Sequence, residues 1–280
     1  RPPLPIGCPN RKRETAQMPL VLSNDDGVHA QGLATLHEVL ADRADCLIVA
    51  PSEPQSGVGH AVTTGEPLAL EELEPGRFGL GGTPADCARV ALSRGIGFVR
   101  DRLGDHPADE IWLVSGINHG ANLGVDTYIS GTAAAAREAA ILGHPAIALS
   151  QYVGRHRRPD WSVTAERARL VLDLLLERPP RPGHFWNVNL PHPEPSGPAP
   201  AIVNAPLAVD SHDLAYHRDD HPDEVSVFHY RGRYQDRPRP TGSDVDAVFS
   251  GLISITPMGL NASDPSLGHL SFTPPPDEPG

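Results

Sequence analysis

The 280-residue sequence has one lysine, few cysteines and no long hydrophobic run. Cys8, Cys46 and Cys87 are widely spaced and form no C-x-x-C pair, which argues against a disulfide framework and a cysteine zinc site. No apolar run approaches the roughly 20 residues of a membrane span, and the first residues lack the apolar core of a signal peptide. We therefore predict a cytoplasmic protein that does not bind membranes.

Positive charge is also scarce, because the formal net charge is -12. A basic face that could bind a nucleic-acid polymer is therefore not expected. A small anionic ligand remains possible, provided that a metal ion or a set of backbone amides holds it locally.

Short apolar runs alternate with helical stretches through the first part of the chain. This order predicts an α/β fold, with a mainly parallel sheet and right-handed crossovers. Strands are expected at residues 20–23, 46–50, 146–150 and 184–190, and in "EIWLVSGINHGANLG". Helices are expected at 33–40, at 84 to about 94, at about 160–176, and in "SGTAAAAREAAILG", where Gly143 ends the helix. Thr83 before Pro84 is a good N-cap and first-turn pair.

Composition divides the chain into four parts. Residues 1–17 read as a disordered extension and residues 18–190 as the α/β catalytic core. Residues 191–260 are rich in proline, histidine and acid and read as an extension with a hairpin and an oligomerisation arm. A final strand at about 251–256, with a proline stop, is expected to return to the core. Residues 261–280 read as a disordered tail.

Polar residues follow three of the expected strands. In an open α/β sheet, ligands bind beyond the carboxyl ends of the strands. The three groups are Asn24, Asp25, Asp26 and Gly27; Ser52 to Ser56 with Gly57; and Ser115, Gly116, Asn118, Gly120 and Asn122. Carboxylate, hydroxyl and amide oxygens suit Mg²⁺ or Mn²⁺. An ordinary turn at "NDDG" is compatible with a metal site, since Gly27 permits the backbone to turn both carboxylates toward one cation.

A helix begins at "ISGTAAAARE", and its free amides and positive dipole end could attract a phosphate. The alternative is an ordinary Ser or Thr cap, which taken alone is favoured. The sequence contains no G-x-G-x-x-G, no P-loop and no G-x-S-x-G. Dinucleotide binding, NTP hydrolysis and serine hydrolysis therefore lack their usual fingerprints.

A competing metal candidate is "HRDDH", in which His217 and His221 are four residues apart. On a helix this spacing would put both imidazoles on one face. Helical character is weak here and Pro222 follows, so a solvated polar loop is favoured. His60 and His119 are further histidines that could line a cleft.

Six motifs in order resemble the SurE family of survival proteins, which are 5'/3'-nucleotidases. They are "LVLSNDDGVHAQGLATL", "VAPSEPQSG", "GGTPADC", "VSGINHGANLG", "ISGTAAAAREA" and "SDVDAVFSGLISITPM". The resemblance spans roughly Leu20 to Met258. It implies a Rossmann-like three-layer core with a C-terminal extended hairpin or arm, and a homodimer or homotetramer formed through the extension.

The same resemblance implies hydrolysis of nucleoside 5'- and 3'-monophosphates with one divalent metal ion, Mn²⁺ or Mg²⁺. Matched motif by motif, Asp25, Asp26 and Asn118 are implied to be catalytic, and Ser56 joins them as a metal ligand. The residues implied to bind the phosphate are Asn122, Ser130, Gly131 and Thr132. The attacking group is either water or an aspartate carboxylate.

Two positions depart from the family pattern. Ile129 precedes S-G-T where a tyrosine is usual, with Tyr128 one place earlier, and Val125 stands where an acidic residue is frequent. These departures keep a second hypothesis open, in which the same pocket binds metal and nucleotide without catalysis and regulates a partner. A third hypothesis puts the metal at "HRDDH".

Overall fold

A computed structural model describes residues 18–194, 199–211, 214–220 and 226–263. Its centre is a nine-stranded, mostly parallel sheet with strand order β3-β4-β2-β1-β5-β6-β7-β11-β8. The strands are β1 Met18–Ser23, β2 Ala44–Pro51, β3 Leu70–Glu74, β4 Arg77–Leu80, β5 Trp112–His119, β6 Ala146–Gln151, β7 His184–Leu190, β8 Ile202–Asn204 and β11 Ile253–Gly259. The predicted Rossmann-like α/β class is confirmed.

Helices cover both faces of this sheet. They are α1 Gln31–Leu40, α2 Pro84–Leu92, α3 Phe98–Leu103, α4 Gly131–Ile141, α5 Trp161–Leu176 and α6 Asp244–Phe249. Thr83 caps α2 and exchanges hydrogen bonds with Asp86 in a capping box, as the Thr83-Pro84 pair predicts. The helix ends at Leu92, two residues earlier than expected, because Ser93 has an extended backbone. Among the described residues, no helix combines the length and apolar character needed to cross a bilayer.

Alternating side chains of β1 fill two separate cores. Leu20 and Leu22 pack with buried residues of α1 and α5 on one face of the sheet. Val21 packs with residues of α2 and α4 on the other face. A strand buried on both sides needs an apolar run rather than an apolar and polar alternation, which explains the "LVL" of the opening motif.

The strand order reverses beside β1. The chain runs from β1 to β2 on one side of the sheet and returns to β5 on the other, and all three strands are parallel. The crossovers on the two sides leave a crevice at the carboxyl ends of β1 and β5. "NDDG" and "NHGAN", which follow these two strands, therefore meet at this crevice.

The C-terminal part returns to the sheet. β11 pairs with β7 antiparallel and with β8 in parallel. It continues through Pro257 to Gly259, so the predicted proline stop is wrong. Its pairing with β8 ends at Ile255. Beyond that residue, no strand in the described part of the chain pairs on that side, so none requires the N–H that proline lacks.

A separate hairpin is formed by β9 Tyr216–Asp220 and β10 Ser226–Tyr230, which pair antiparallel. The polar loop predicted for "HRDDH" is therefore wrong as far as Asp220, because cross-strand pairing with β10 stabilises an extended backbone that local propensity does not reveal. His221, the predicted extension at 1–17 and residues 264–280 of the predicted tail lie outside the described residues.

Candidate active site

A cleft of about 590 Å³ opens at the carboxyl ends of β1 and β5. Six of the eight residues implied to bind metal or phosphate line it: Asp25, Asp26, Ser56, Asn118, Asn122 and Ser130. They come from four separate segments of the chain, which the parallel sheet brings to one edge. Gly131 and Thr132 are not among its lining residues.

Asp25 is buried where β1 ends, with 5% of its surface exposed. Thr132 donates its hydroxyl to Asp25 Oδ1 at 2.5 Å, which leaves Oδ2 without that partner. Burial raises the pKa of Asp25 to about 6, against the opposing hydrogen bond from Thr132 and with added repulsion from Asp26. A nearby cation would reverse this shift, because it favours the carboxylate.

Gly131 lets the first turn of α4 approach Asp25 closely. A Cβ at residue 131 would lie 2.6 Å from the Asp25 Cβ and 2.9 Å from the Pro84 Cγ. The contact brings the positive end of the α4 dipole next to the Asp25 carboxylate.

The neighbouring ligand candidates are held in a similar way. Asp26 accepts the His119 backbone N–H at Oδ2, over 2.9 Å. Asn118 donates its Nδ2 to the Gly120 carbonyl over 2.9 Å, so its Oδ1 is turned away from that contact. The pairing between β5 and β6 shifts register between Ser115 and Asn118. At that shift, Gly116 has a φ of +144° and no room for a Cβ beside the Leu149 carbonyl.

Ser56 lies on the exposed loop after β2. Its neighbour Gln55 donates its backbone N–H to the Asp25 carbonyl over 2.7 Å. Gly57 then turns the chain with a φ of +74°. The loop is thus joined directly to the backbone of "NDDG".

Asn122 is held from β6 and β7. Its Nδ2 donates to Ser150 Oγ over 2.8 Å, and its backbone N–H donates to Asn189 Oδ1 over 2.8 Å. Asn187 and Asn189 each donate to the Asn122 carbonyl over 3.0 Å. These contacts fix the backbone and the amide group at the cleft.

The three residues of the helix start at "SGT", predicted to bind phosphate, have different protein contacts. Ser130 lines the cleft, but its hydroxyl accepts the Ala133 N–H and caps α4. The Thr132 hydroxyl donates to Asp25, and Gly131 supplies the close approach. The structure therefore makes Thr132 a partner of Asp25. The sequence could not reveal this because the two residues are far apart in the chain.

The chemistry of the donor set fits a hard divalent cation. Each of three candidate ligands uses one polar atom to bind a protein partner: Asp25 binds Thr132, Asp26 binds His119, and Asn118 binds Gly120. The remaining oxygens of these ligands face the cleft, together with Ser56. Two carboxylates with neutral oxygen donors form the kind of site that Mg²⁺ and Mn²⁺ use.

Comparison with known proteins identifies the family of this chain. The family profile described as survival protein SurE matches residues 20–207. The chain belongs to the SurE family. A curated protein of Synechocystis sp. is 42% identical over 240 residues, which is 85% of this chain and 98% of that protein.

Two further relatives carry the name 5'-nucleotidase SurE. The protein of Heliobacterium modesticaldum is 34% identical over 255 residues, covering 89% of each chain. That of Methylobacterium radiotolerans is 36% identical over 254 residues, covering 88% of this chain and 95% of the relative. The crystal structure of the SurE protein from Aquifex aeolicus superposes with a TM-score of 0.75 at 27% identity, covering 89% of this chain and 96% of that one.

In this SurE family member, the far wall of the cleft comes from residues that the sequence reasoning missed. Tyr216, Tyr230 and Tyr234 line it, with Leu214 and Gly232. They belong to the β9-β10 hairpin and to the chain on either side of it. No local signal in "SVFHYRGRY" connects this segment to the cleft.

A buried ion pair joins the hairpin segment to the cleft. Arg237 Nη1 lies 2.5 Å from Asp126 Oδ2, and the Tyr234 hydroxyl donates to the same carboxylate over 2.9 Å. Burial and the negative charge of Asp126 raise the pKa of Tyr234 well above its usual value, so this hydroxyl stays protonated. Asp126 lies in the short turn that precedes Ser130, and Ser130 is the N-cap of α4.

Two histidine predictions have different outcomes. His119 lines the cleft, whereas His60 is absent from its lining and contacts Glu138. His217 and His229 both contact Asp219, on the hairpin. Among the described residues, no three His, Cys, Asp or Glu side chains form a metal-binding group at "HRDDH" or elsewhere.

Proposed function

We propose that this chain is a divalent-metal-dependent phosphomonoesterase that converts nucleoside 5'- and 3'-monophosphates to nucleoside and phosphate. The observation that supports this most is the meeting of Asp25, Asp26, Ser56 and Asn118 with Asn122 and Ser130 in one cleft. Membership of the SurE family, with relatives named 5'-nucleotidase, supports the same reaction class.

In this proposal, Asp25, Asp26, Ser56 and Asn118 hold one Mg²⁺ or Mn²⁺ ion. When bound, the ion supplies positive charge that stabilises the transferring phosphoryl group. Thr132 and the α4 N-terminus orient the Asp25 carboxylate and favour its charged form. Fixed ligands need no rearrangement as the reaction proceeds, which favours the transition state.

The phosphate is bound beside these ligands by Asn122 and by the start of α4 at Ser130 and Gly131, with Thr132 acting through Asp25. The Asn122 amide is held by Ser150, so it is preorganised for a phosphate oxygen. The nucleoside then extends along Tyr216 and Tyr230, whose rings pack edge to face 5.5 Å apart and give an apolar surface for a base. Both ester positions fit an open cleft that holds the phosphate more firmly than the sugar.

We also propose that the chain works in the cytoplasm as a homodimer or homotetramer. Val209 and Leu214, in the chain before the hairpin, are 85% and 66% exposed, and such exposed apolar side chains are typical of an interface. The free thiols of Cys46 and Cys87 fit a reducing compartment.

The function is tested by measuring phosphate release from a panel of nucleoside 5'- and 3'-monophosphates. Protein stripped with EDTA should be inactive, and Mn²⁺ or Mg²⁺ should restore release. Asp25→Asn should reduce turnover by about 10³-fold or more, since several kcal/mol of charge stabilisation is lost. Asp45→Asn, at an exposed aspartate of β2, is the matched control and should behave as wild type.

No release from any nucleotide, by protein shown to be folded and loaded with metal, would contradict the enzyme. That result would favour the regulatory binding protein. The stereochemistry at phosphorus of a chirally labelled phosphate ester separates the two attacking groups. Inversion supports direct attack by water, and retention supports two successive displacements through a phosphorylated aspartate.

A further inference from the structure

Glu138 is a buried carboxylate on α4 that the proposed chemistry does not use. It is 1% exposed and lies two turns along the helix from Thr132. His60 Nε2 is 2.7 Å from Glu138 Oε2, and Arg89 Nε is 2.7 Å from Glu138 Oε1. One buried carboxylate therefore holds two separate segments, the loop after β2 and helix α2.

The orientation of the His60 ring follows from its two neighbours. Arg137 Nη1 lies 3.4 Å from His60 Nδ1, and a guanidinium can only donate. Nδ1 therefore accepts, and Nε2 carries the proton that it donates to Glu138. Arg137 is itself fixed, because its Nη2 donates to the Thr127 carbonyl over 2.9 Å.

The charge of Glu138 is also settled by these contacts. Burial alone would raise its pKa, but the hydrogen bonds from His60 and Arg89 outweigh burial, and the pKa lies below its usual value. Glu138 is therefore a carboxylate at neutral pH, which makes both hydrogen bonds charge-assisted and strong.

His60 stands four residues after Ser56 on the same loop. The adjacent Gly59 donates its backbone N–H to the Ile129 carbonyl, just before α4, over 3.0 Å. Helix α4 thus holds Asp25 from its first turn, through Thr132, and the Ser56 loop from its third turn, through Glu138. The two ligand segments are positioned against each other by a single rigid element.

We propose that the hydrogen bond between His60 and Glu138 positions the Ser56 loop against Asp25, and so sets the affinity for the divalent ion. The proposal rests on the metal site described under the proposed function. His60 and Glu138 are positioning residues, since neither lines the cleft. The competing interpretation is that Glu138 only joins α2 to α4, through Arg89.

The experiment is a titration of the metal-free protein with Mn²⁺ alone, with free Mn²⁺ measured by electron paramagnetic resonance. The two main variants are His60→Ala and Arg89→Ala. Each removes one partner of Glu138, and both side chains are partly exposed, at 23% and 43%, so neither change opens a closed cavity. Only His60→Ala releases the Ser56 loop.

We expect His60→Ala to weaken Mn²⁺ binding about tenfold, as is typical when a partner that orients ligands is lost. Arg89→Ala should bind Mn²⁺ as wild type does, even if its melting temperature falls. His60→Gln should restore binding, because its amide can donate from a position similar to that of Nε2. In a Ser56→Ala background, His60→Ala should cause no further loss, because the two changes act through the same ligand.

Three results would overturn the proposal: unchanged Mn²⁺ binding in His60→Ala, an equal loss in Arg89→Ala, or no recovery in His60→Gln. The variant Asp25→Asn shows whether a contradicting result concerns only the positioning role or the metal site as well. If Asp25→Asn loses Mn²⁺ while His60→Ala does not, only the positioning role is wrong. If Asp25→Asn binds Mn²⁺ as wild type does, the metal site is wrong as well.

Discussion

The two walls of the cleft are built differently. On the sheet side, Asp25, Asp26 and Asn118 each have a side-chain hydrogen bond to a fixed partner. On the hairpin side, Tyr216 and Tyr230 are 59% and 53% exposed. The hairpin strands pair with each other and not with the nine-stranded sheet.

This difference indicates a division of labour. Groups that meet developing charge must be held closely, because small displacements are costly in a preorganised site. A surface that binds a base needs only area and shape, and it can belong to an element with fewer contacts. We therefore expect changes in the sheet wall to alter turnover and metal affinity, and changes in the hairpin wall to alter KM.

Apart from changes to the ligand candidates themselves, the largest effect is expected from Gly131→Ala. The new methyl would lie 2.6 Å from the Asp25 Cβ, so either α4 or Asp25 must move. We expect kcat to fall about 100-fold, the scale reported for displacements of about 1 Å in a catalytic site. Gly65→Ala, at a glycine with no atom within 4 Å of the added Cβ, is the matched control. Equal activity of the two variants would refute a tightly held sheet wall.

A smaller effect is expected from Thr132→Val, which keeps the shape and removes the hydroxyl that donates to Asp25. Mn²⁺ affinity should fall by about tenfold to 100-fold. Thr132→Ser retains the donor and should bind close to wild type. Isothermal titration of both variants measures the difference, and similar weakening of Ser and Val would show that packing matters more than the hydrogen bond.

The pH dependence of metal binding tests the same wall. The pKa of Asp25 in the metal-free protein is raised to about 6, so between about pH 4 and pH 6 the folded state holds a proton that the unfolded chain has released. This contribution favours the folded metal-free protein at low pH and is lost as the pH rises through 6. A metal ion must displace that proton, so its affinity should fall by about tenfold per pH unit below 6. Mn²⁺ titrations that give one constant affinity from pH 7 to pH 5 would contradict a proton-competing Asp25.

The smallest effect is expected from the hairpin wall. Tyr216→Ala should raise KM for a nucleoside monophosphate roughly twofold to tenfold, corresponding to about 0.5–1.5 kcal/mol of aromatic contact, with kcat unchanged. Phe228→Ala is the matched control, because Phe228 is exposed on the same hairpin but does not line the cleft. Steady-state kinetics of both variants measure kcat and KM separately. A fall in kcat for Tyr216→Ala would contradict the expectation that the hairpin wall alters KM alone.

The sequence was most informative where candidate site residues directly follow an expected strand. The polar groups after β1, β2 and β5 were selectable because a parallel sheet collects the ends of its strands at one edge. For the same reason, most of the order of strands and helices through β7 was predictable, apart from the short helix α3 and from boundaries such as the end of α2. The extension was less predictable, since α6 and the extended backbone at "HRDDH" depend on contacts with distant segments.

The remaining parts of the site depend on pairs that no spacing reveals. Thr132 with Asp25, His60 with Glu138, and Arg237 with Asp126 join residues 107, 78 and 111 positions apart. Each residue alone fits an ordinary role such as a helix cap or a surface charge. Only the packing of α4 and of the hairpin segment against the sheet shows that these contacts support the cleft.

Anomalous diffraction from crystals soaked in Mn²⁺ tests the central claim most directly, because it locates the ion without relying on activity. The account predicts one strong peak within about 2.5 Å of oxygens from Asp25, Asp26, Ser56 and Asn118, and no such peak in Asp25→Asn. A peak at another group of residues, or none in the cleft at saturating Mn²⁺, would contradict it.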